Sequence, residues 1–254
     1  MGEEHRGARR TVRLWVPQQH GAWAMLVVPF IGGMILGGAD WCDLPLAVAW
    51  LLSYAAAYHA QQFIRLRRVS RRPQAANRHL APLAWFGVLF VALAVPLAIA
   101  RPWLMAAAAA MAPFVLINTG FAAWNKERAL VNGVIAVIPA CAMLLVVHRL
   151  ASGRLDAASW SGFAACLLYF AGTVLYVKTM IRERDSRGYR VASGAYHGAA
   201  VVAAGALCWW LTAPFALYFV RALALPRRRM KAAVVGVIEI VNSAVLLVGL
   251  LALR

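Results

Sequence analysis

A small set of polar side chains lies within long apolar surroundings and limits the chemistry available to this chain. Three histidines (His20, His59 and His197) are candidates for acid or base work, because imidazole titrates in the useful range. Arg65, Lys178, Arg182 and Arg221 are cations suited to an anionic group, and arginine adds a planar two-pronged fork for phosphate oxygens. Such cations assist the departure of a phosphate by placing positive charge where negative charge develops. Glu183 is placed to orient a cation or take a proton, while Gln61, Gln62, Asn118 and Asn132 supply neutral hydrogen bonds. Glu239 lies inside an apolar stretch and should therefore seek a cation such as Arg221 or Lys178, or stay protonated.

These residues need elements to hold them, and the composition says which kind. Of 254 residues, 63% are hydrophobic and only 14% charged, with a mean hydropathy of +0.69. A soluble domain is about 45–50% apolar and about 25% charged, so a soluble enzyme and a disordered regulator are both excluded. A membrane-crossing helix needs about 20 predominantly apolar residues. Nine such stretches are present, at 20–39, 44–64, 80–100, 103–123, 129–150, 158–181, 194–211, 212–225 and 231–253. The eighth is short, and Pro214 marks the expected turn before it. The runs are continuous rather than alternating, which excludes barrel strands. The expected fold is an all-α polytopic membrane protein of nine helices, with a basic segment over 1–19 and one transmembrane domain over 20–254.

Charge placement orients it. Under nine spans, 22 of the 26 Lys and Arg fall on the side that holds the N-terminus, which places the N-terminus inside and the C-terminus outside. The net charge of +17 thus reads as topology and attraction to anionic lipid, not as nucleic-acid binding. Arg67, Arg68, Arg71 and Arg72 read as interfacial side chains whose stems lie along the apolar surface. The candidate site residues gather in the cytoplasmic half of their spans, which points to a polar cavity open to that side. Cys42, Cys141, Cys166 and Cys208 are scattered and read as small apolar fillers.

An internal echo links the two halves. Phe63-Ile64-Arg65-Leu66-Arg67 ends the second span, and Met180-Ile181-Arg182-Glu183-Arg184 ends the sixth, an offset of 117 residues or four helices. Helices 1–4 and 5–8 then form a pseudo-repeat, with helix 9 added.

The opening run Pro17-Gln18-Gln19-His20-Gly21-Ala22-Trp23, the later VKTMIRER (177–184) and the closing GVIEIVNS (236–243) resemble the YwiC-like family of bacterial membrane proteins. More distantly, nine helices with polar signatures after helices 2 and 6 resemble the UbiA superfamily of intramembrane prenyltransferases. There both signatures are Asp-rich and hold magnesium against an isoprenoid diphosphate. Here the first, Asn-Asp-x-x-Asp, is matched by Gln61, Gln62, Phe63, Ile64 and Arg65, so its carboxylates are missing. The second begins in Ile181-Arg182-Glu183, with Asp185 two residues on instead of four. Magnesium wants carboxylate oxygens beside the phosphates and is disfavoured.

The resemblance implies a UbiA-like bundle in the bacterial cytoplasmic membrane that binds an isoprenoid or other anionic lipid. It also implies prenyl or lipid transfer without the usual metal. Membrane lipids and an isoprenoid diphosphate are the implied partners. The alternative is a non-enzymatic transporter or a respiratory-complex assembly factor, and the lost Asp motifs and Glu239 as a proton relay speak for it.

Overall fold

The computed structural model of the chain describes residues 14–17, 20–226, 228 and 230–254. The basic segment expected over 1–19 lies outside the described residues except for 14–17, and so does the side chain of His20. Among the described residues there are nine α-helices and no strand: α1 (His20–Gly37), α2 (Asp43–Val69), α3 (Leu80–Ala100), α4 (Trp103–Ala123), α5 (Leu130–Ser152), α6 (Ala157–Ile181), α7 (Arg187–Leu207), α8 (Thr212–Ala224) and α9 (Ala232–Leu250). The protein is an all-α polytopic membrane protein.

Five of these elements are long and apolar enough to cross a membrane: Pro73–Ala100, which is α3 with the 3-10 turn ahead of it, then α4, α5, α6 and Ala232–Leu253. The other four fall short of the expected span for identifiable reasons. Helix α1 is apolar but has only 18 residues. Helix α2 carries His59, Gln61, Gln62 and three arginines in its second half, and α7 opens on Arg187 and Arg190. With 13 residues, α8 rises about 20 Å, less than the roughly 30 Å of a hydrocarbon core.

Some boundaries differ from the sequence expectation, and α2 runs on to Val69 rather than ending at 64. Helix α7 begins at Arg187 rather than 194, because Ser186 caps it by accepting the backbone N–H of Tyr189. Pro214 does not make the turn before α8. An extended Cys208 and a 3-10 turn over Trp209–Leu211 do so, and Pro214 sits in the first turn of α8, where a missing N–H costs nothing.

The helix ends are built from local chemistry. Asp156 opens α6 with a reciprocal capping box: its carboxylate accepts Ser159 N–H at 2.9 Å while Ser159 Oγ accepts Asp156 N–H. That backbone donor, with His148 and Arg154 nearby, holds the Asp156 carboxyl below its ordinary range. Helix α4 ends in a Schellman motif. Lys126 N–H reaches Phe121 O at 2.7 Å and Asn125 N–H reaches Ala122 O, with Asn125 in the left-handed region at φ 55°.

The chain forms two compact units. Among the described residues, one comprises 14–17, 20–22 and 41–132, and in it α2 packs along α3 and against α4. Its α3 and α4 bury little, leaving Trp85, Val88, Val95, Ile99 and Leu116 exposed. An apolar surface of that extent suits hydrocarbon rather than water.

The other unit comprises residues 23–40 and 133–254, with a core of Val137, Leu144, Tyr169, Phe170, Phe215, Tyr218, Leu246 and Leu250. Here α1 meets α5 through Gly33 and Gly37, a small-xxx-small face. A Cβ at Gly33 would lie 2.7 Å from Leu144 O, and one at Gly37 would lie 2.8 Å from His148 Cα. None of the four cysteines is in a disulfide, and Cys42, Cys141 and Cys166 are buried.

Candidate functional site

In the second unit, helical spacing brings polar groups from four helices onto one point. Helix α6 presents Tyr169, Thr173 and Tyr176 at i, i+4 and i+7, and α7 presents Ser193 and His197 at i and i+4. Helix α8 presents Tyr218 and Arg221 at i and i+3, and α9 presents Glu239, Asn242 and Ser243. All ten are buried.

Arg221 and Glu239 form the centre. Arg221 Nη1 donates to Glu239 Oε1 at 2.5 Å, and both side chains are at most 10% exposed. The second carboxylate oxygen accepts Thr173 Oγ1 at 2.9 Å and Tyr169 Oη at 3.3 Å. Tyr218 Oη donates to Asn242 O at 3.0 Å. The Arg221 guanidinium carbon lies 4.2 Å from the centroid of the Tyr176 ring and 5.6 Å from that of Tyr218, so two aromatic faces flank the cation.

The tautomer of His197 follows from its partners. Its Nδ1 lies 2.7 Å from Ser193 O, which only accepts, so Nδ1 carries the proton. The neutral ring therefore turns the lone pair of Nε2 toward Arg221 Nη2, 3.3 Å away. His197 thus serves Arg221 as an acceptor. Gly172 makes room for it, since a Cβ there would lie 3.1 Å from His197 Nε2.

Two polar atoms in this cluster, Arg221 Nε and Tyr176 Oη, have no hydrogen-bond partner among the described residues. Buried donors are almost always satisfied, so such atoms call for an explanation.

The end of α6 holds three further sequence candidates. Lys178 lies 5.7 Å from the Tyr189 ring, Arg182 is the exposed C-cap residue, and Glu183 is half-buried just beyond it. Other arginines make the main-chain contacts here: Arg184 donates to Met180 O in α6 and to Met230 O ahead of α9, and Arg190 to Arg184 O in the loop after α6.

In the first unit, Arg65 Nη1 donates to Glu127 Oε1 at 2.5 Å, with both side chains part-exposed, and Asn132 Nδ2 donates to Glu127 O. The Schellman turn after α4 is what carries Glu127 to that place. Asn118 Oδ1, Asn132 Oδ1, Glu127 Oε2 and Arg65 Nε are buried atoms without a partner among the described residues. Gln61 and Gln62 are half-buried on α2.

His59 is fully buried and pairs with His79, Nδ1 to Nδ1 at 2.9 Å. Its Nε2 lies 3.3 Å from Trp15 O and therefore donates, so His59 Nδ1 accepts and His79 Nδ1 carries the shared proton. The His59 ring stacks on Phe86 at 14°.

Glu127, His79, Tyr169, Thr173, Tyr176, Ser193, Tyr218 and Ser243 thus belong to these polar clusters and were missed by sequence reasoning. Glu127 had a usable signal, being the single acid between Lys126 and Arg128. The tyrosines had only their helical spacing.

Magnesium, which the distant resemblance would bring, does not fit the residues present. Among the described residues no three His, Cys, Asp or Glu side chains come together. Glu239 and Glu127 each have a guanidinium where a metal would sit. Asp185 is exposed beyond the end of α6.

Against known proteins, the YwiC-like protein family matches residues 16–148. The chain is 31% identical to the YwiC protein of Bacillus subtilis over 90% of its own length and 93% of that protein. It is 29% identical to a protein of Haemophilus influenzae over 94% of its own length and 98% of that one. No solved structure matches.

Proposed function

The chain belongs to the YwiC-like family, and for this multi-pass membrane protein we propose a working site at Arg221 that takes the anionic head of an isoprenoid or other lipid. One observation carries the reading. A buried arginine, set between aromatic faces, holds a single carboxylate and keeps Nε unused. A buried ion pair repays its desolvation poorly, and apolar residues of similar volume would serve stability as well or better. Glu239 acts as a resident counter-ion in the place that the ligand's anionic oxygens take. When the head binds, Glu239 accepts a proton, because two anions around one guanidinium would repel.

The reaction class we infer is prenyl or related lipid transfer in the bacterial cytoplasmic membrane, with the guanidinium in place of a metal. The allylic C–O bond breaks with its electron pair leaving on the diphosphate. A nucleophile of the acceptor bonds to that carbon, and its proton passes to the released diphosphate. Arg221 stabilises the leaving charge, and His197 holds the guanidinium in register through Nε2. Lys178 and Arg182 at the end of α6 supply further positive charge for an anionic lipid.

Binding of farnesyl diphosphate to the detergent-purified protein, with EDTA present, tests this reading. Arg221→Lys keeps the charge and loses the fork. It should weaken binding about tenfold to a hundredfold, the worth of a charge-assisted hydrogen bond. The exposed Arg68→Lys should bind as the parent does. Equal affinities in all three proteins would overturn the assignment.

A second reading has its own support. His197, Arg221, Glu239, Thr173, Tyr169 and Ser243 form an unbroken buried hydrogen-bond chain of balanced charge, as a proton-coupled transporter would use. Solute flux into liposomes without lipid turnover would favour that reading over transfer.

A further inference from the structure

We propose that Tyr176 is a ligand-contacting residue, whose hydroxyl donates, beside Arg221 Nε, to a phosphoryl oxygen of the bound lipid head. The inference rests on the reading of the Arg221 site given above and deepens it. Tyr176 is fully buried, in the second-to-last turn of α6, and among the described residues its hydroxyl has no partner. Its neighbours do not share this condition. Tyr169 donates to Glu239, and Tyr218 donates to Asn242 O. Of the three tyrosines around the ion pair, only Tyr176 keeps its donor unused.

The other unused donor in the cluster, Arg221 Nε, belongs to the guanidinium that stacks over the Tyr176 ring, one side-chain contact away. Both unused groups donate, so they call for an acceptor. Tyrosine is costly here unless the hydroxyl has a use. A buried hydroxyl without a partner loses its water for no return, whereas phenylalanine would fill the same volume and keep the same ring face toward the cation. A phosphoryl oxygen accepts without needing to donate, and it carries the charge that a guanidinium and a phenol together select. An alcohol or amine head would bring protons of its own to a place that already has two.

The test is Tyr176→Phe, which removes one oxygen and keeps the ring. Farnesyl diphosphate binding should fall at least tenfold while the melting temperature of the ligand-free protein stays level or rises. Tyr218→Phe, which loses a satisfied hydrogen bond, should instead melt lower. Inorganic pyrophosphate as a second probe separates the sources of the phosphoryl group. Competition with farnesyl diphosphate would place recognition in the head alone, and absence of competition would make the lipid tail part of it. Parent-like affinity in Tyr176→Phe, with Arg221→Lys impaired, would overturn the role of Tyr176 and leave the Arg221 site standing. A parent protein that binds no farnesyl diphosphate would overturn both. A Tyr176→Phe protein that melts well below the parent would show that the hydroxyl is satisfied within the fold, and would overturn the inference.

Discussion

Glu239→Ala should cost the second unit about 3–5 kcal/mol, the usual effect of leaving one partner of a buried ion pair alone. Arg221 is 6% exposed and cannot reach water without moving α8, so its charge would stay in the core without a counter-ion. Thr173 would also lose its carboxylate acceptor, a buried donor left unmet that adds to the loss, whereas Tyr169 keeps the main-chain oxygen of residue 239. Glu239→Gln keeps the shape and one amide oxygen, and should fall between the two. The double variant Arg221→Leu with Glu239→Leu should recover most of the stability, since it removes both charges together. Thermal unfolding in detergent reads all of these. A Glu239→Ala protein as stable as the parent would mean that the pair is solvated and the site is not the dry cluster described.

The second large effect concerns packing rather than charge. Gly33→Ala should destabilise the same unit by about 1–3 kcal/mol or more, because its Cβ meets a main-chain oxygen, Leu144 O, at 2.7 Å and Val147 Cβ at the same distance. A backbone carbonyl cannot turn aside as a side-chain tip can, so α1 would have to move off α5. Gly21→Ala is the comparison: nothing lies within 4 Å of its Cβ, and alanine is the better helix former. If both variants unfold at the parent's temperature, the close contact of α1 and α5 is absent from the folded protein.

The helices were legible because hydrocarbon demands long apolar runs, and eight of the nine began within two residues of the expected start. The exception, α7, starts with Arg187 and Arg190, where apolarity gives no signal and only the Ser186 cap marks the boundary. The demand of Glu239 for a cation was also legible, since an acid deep in an apolar run has few ways to be tolerated. Arg221 is the partner found. Tyr169, Thr173 and Tyr176 were not legible, because a tyrosine at helical spacing reads equally as core. His79 was hidden for another reason. It lies in a short polar connection, and its burial against His59 comes from the fold of the 3-10 turn over Pro73–His79. The basic ends of α2 and α6 look alike in sequence, yet Arg65 is paired with Glu127 whereas Arg182 is an exposed cap residue. A match of five residues conveys the helix end and not what faces it.

The central claim is that Arg221 receives an anionic lipid head. The most direct measurement is a cryo-electron density map of the full chain purified with farnesyl diphosphate. The account predicts head-group density against Arg221 Nε and Tyr176 Oη, with Glu239 Oε1 drawn away from its 2.5 Å contact. Density for the diphosphate elsewhere, with the Arg221–Glu239 pair intact, would contradict it.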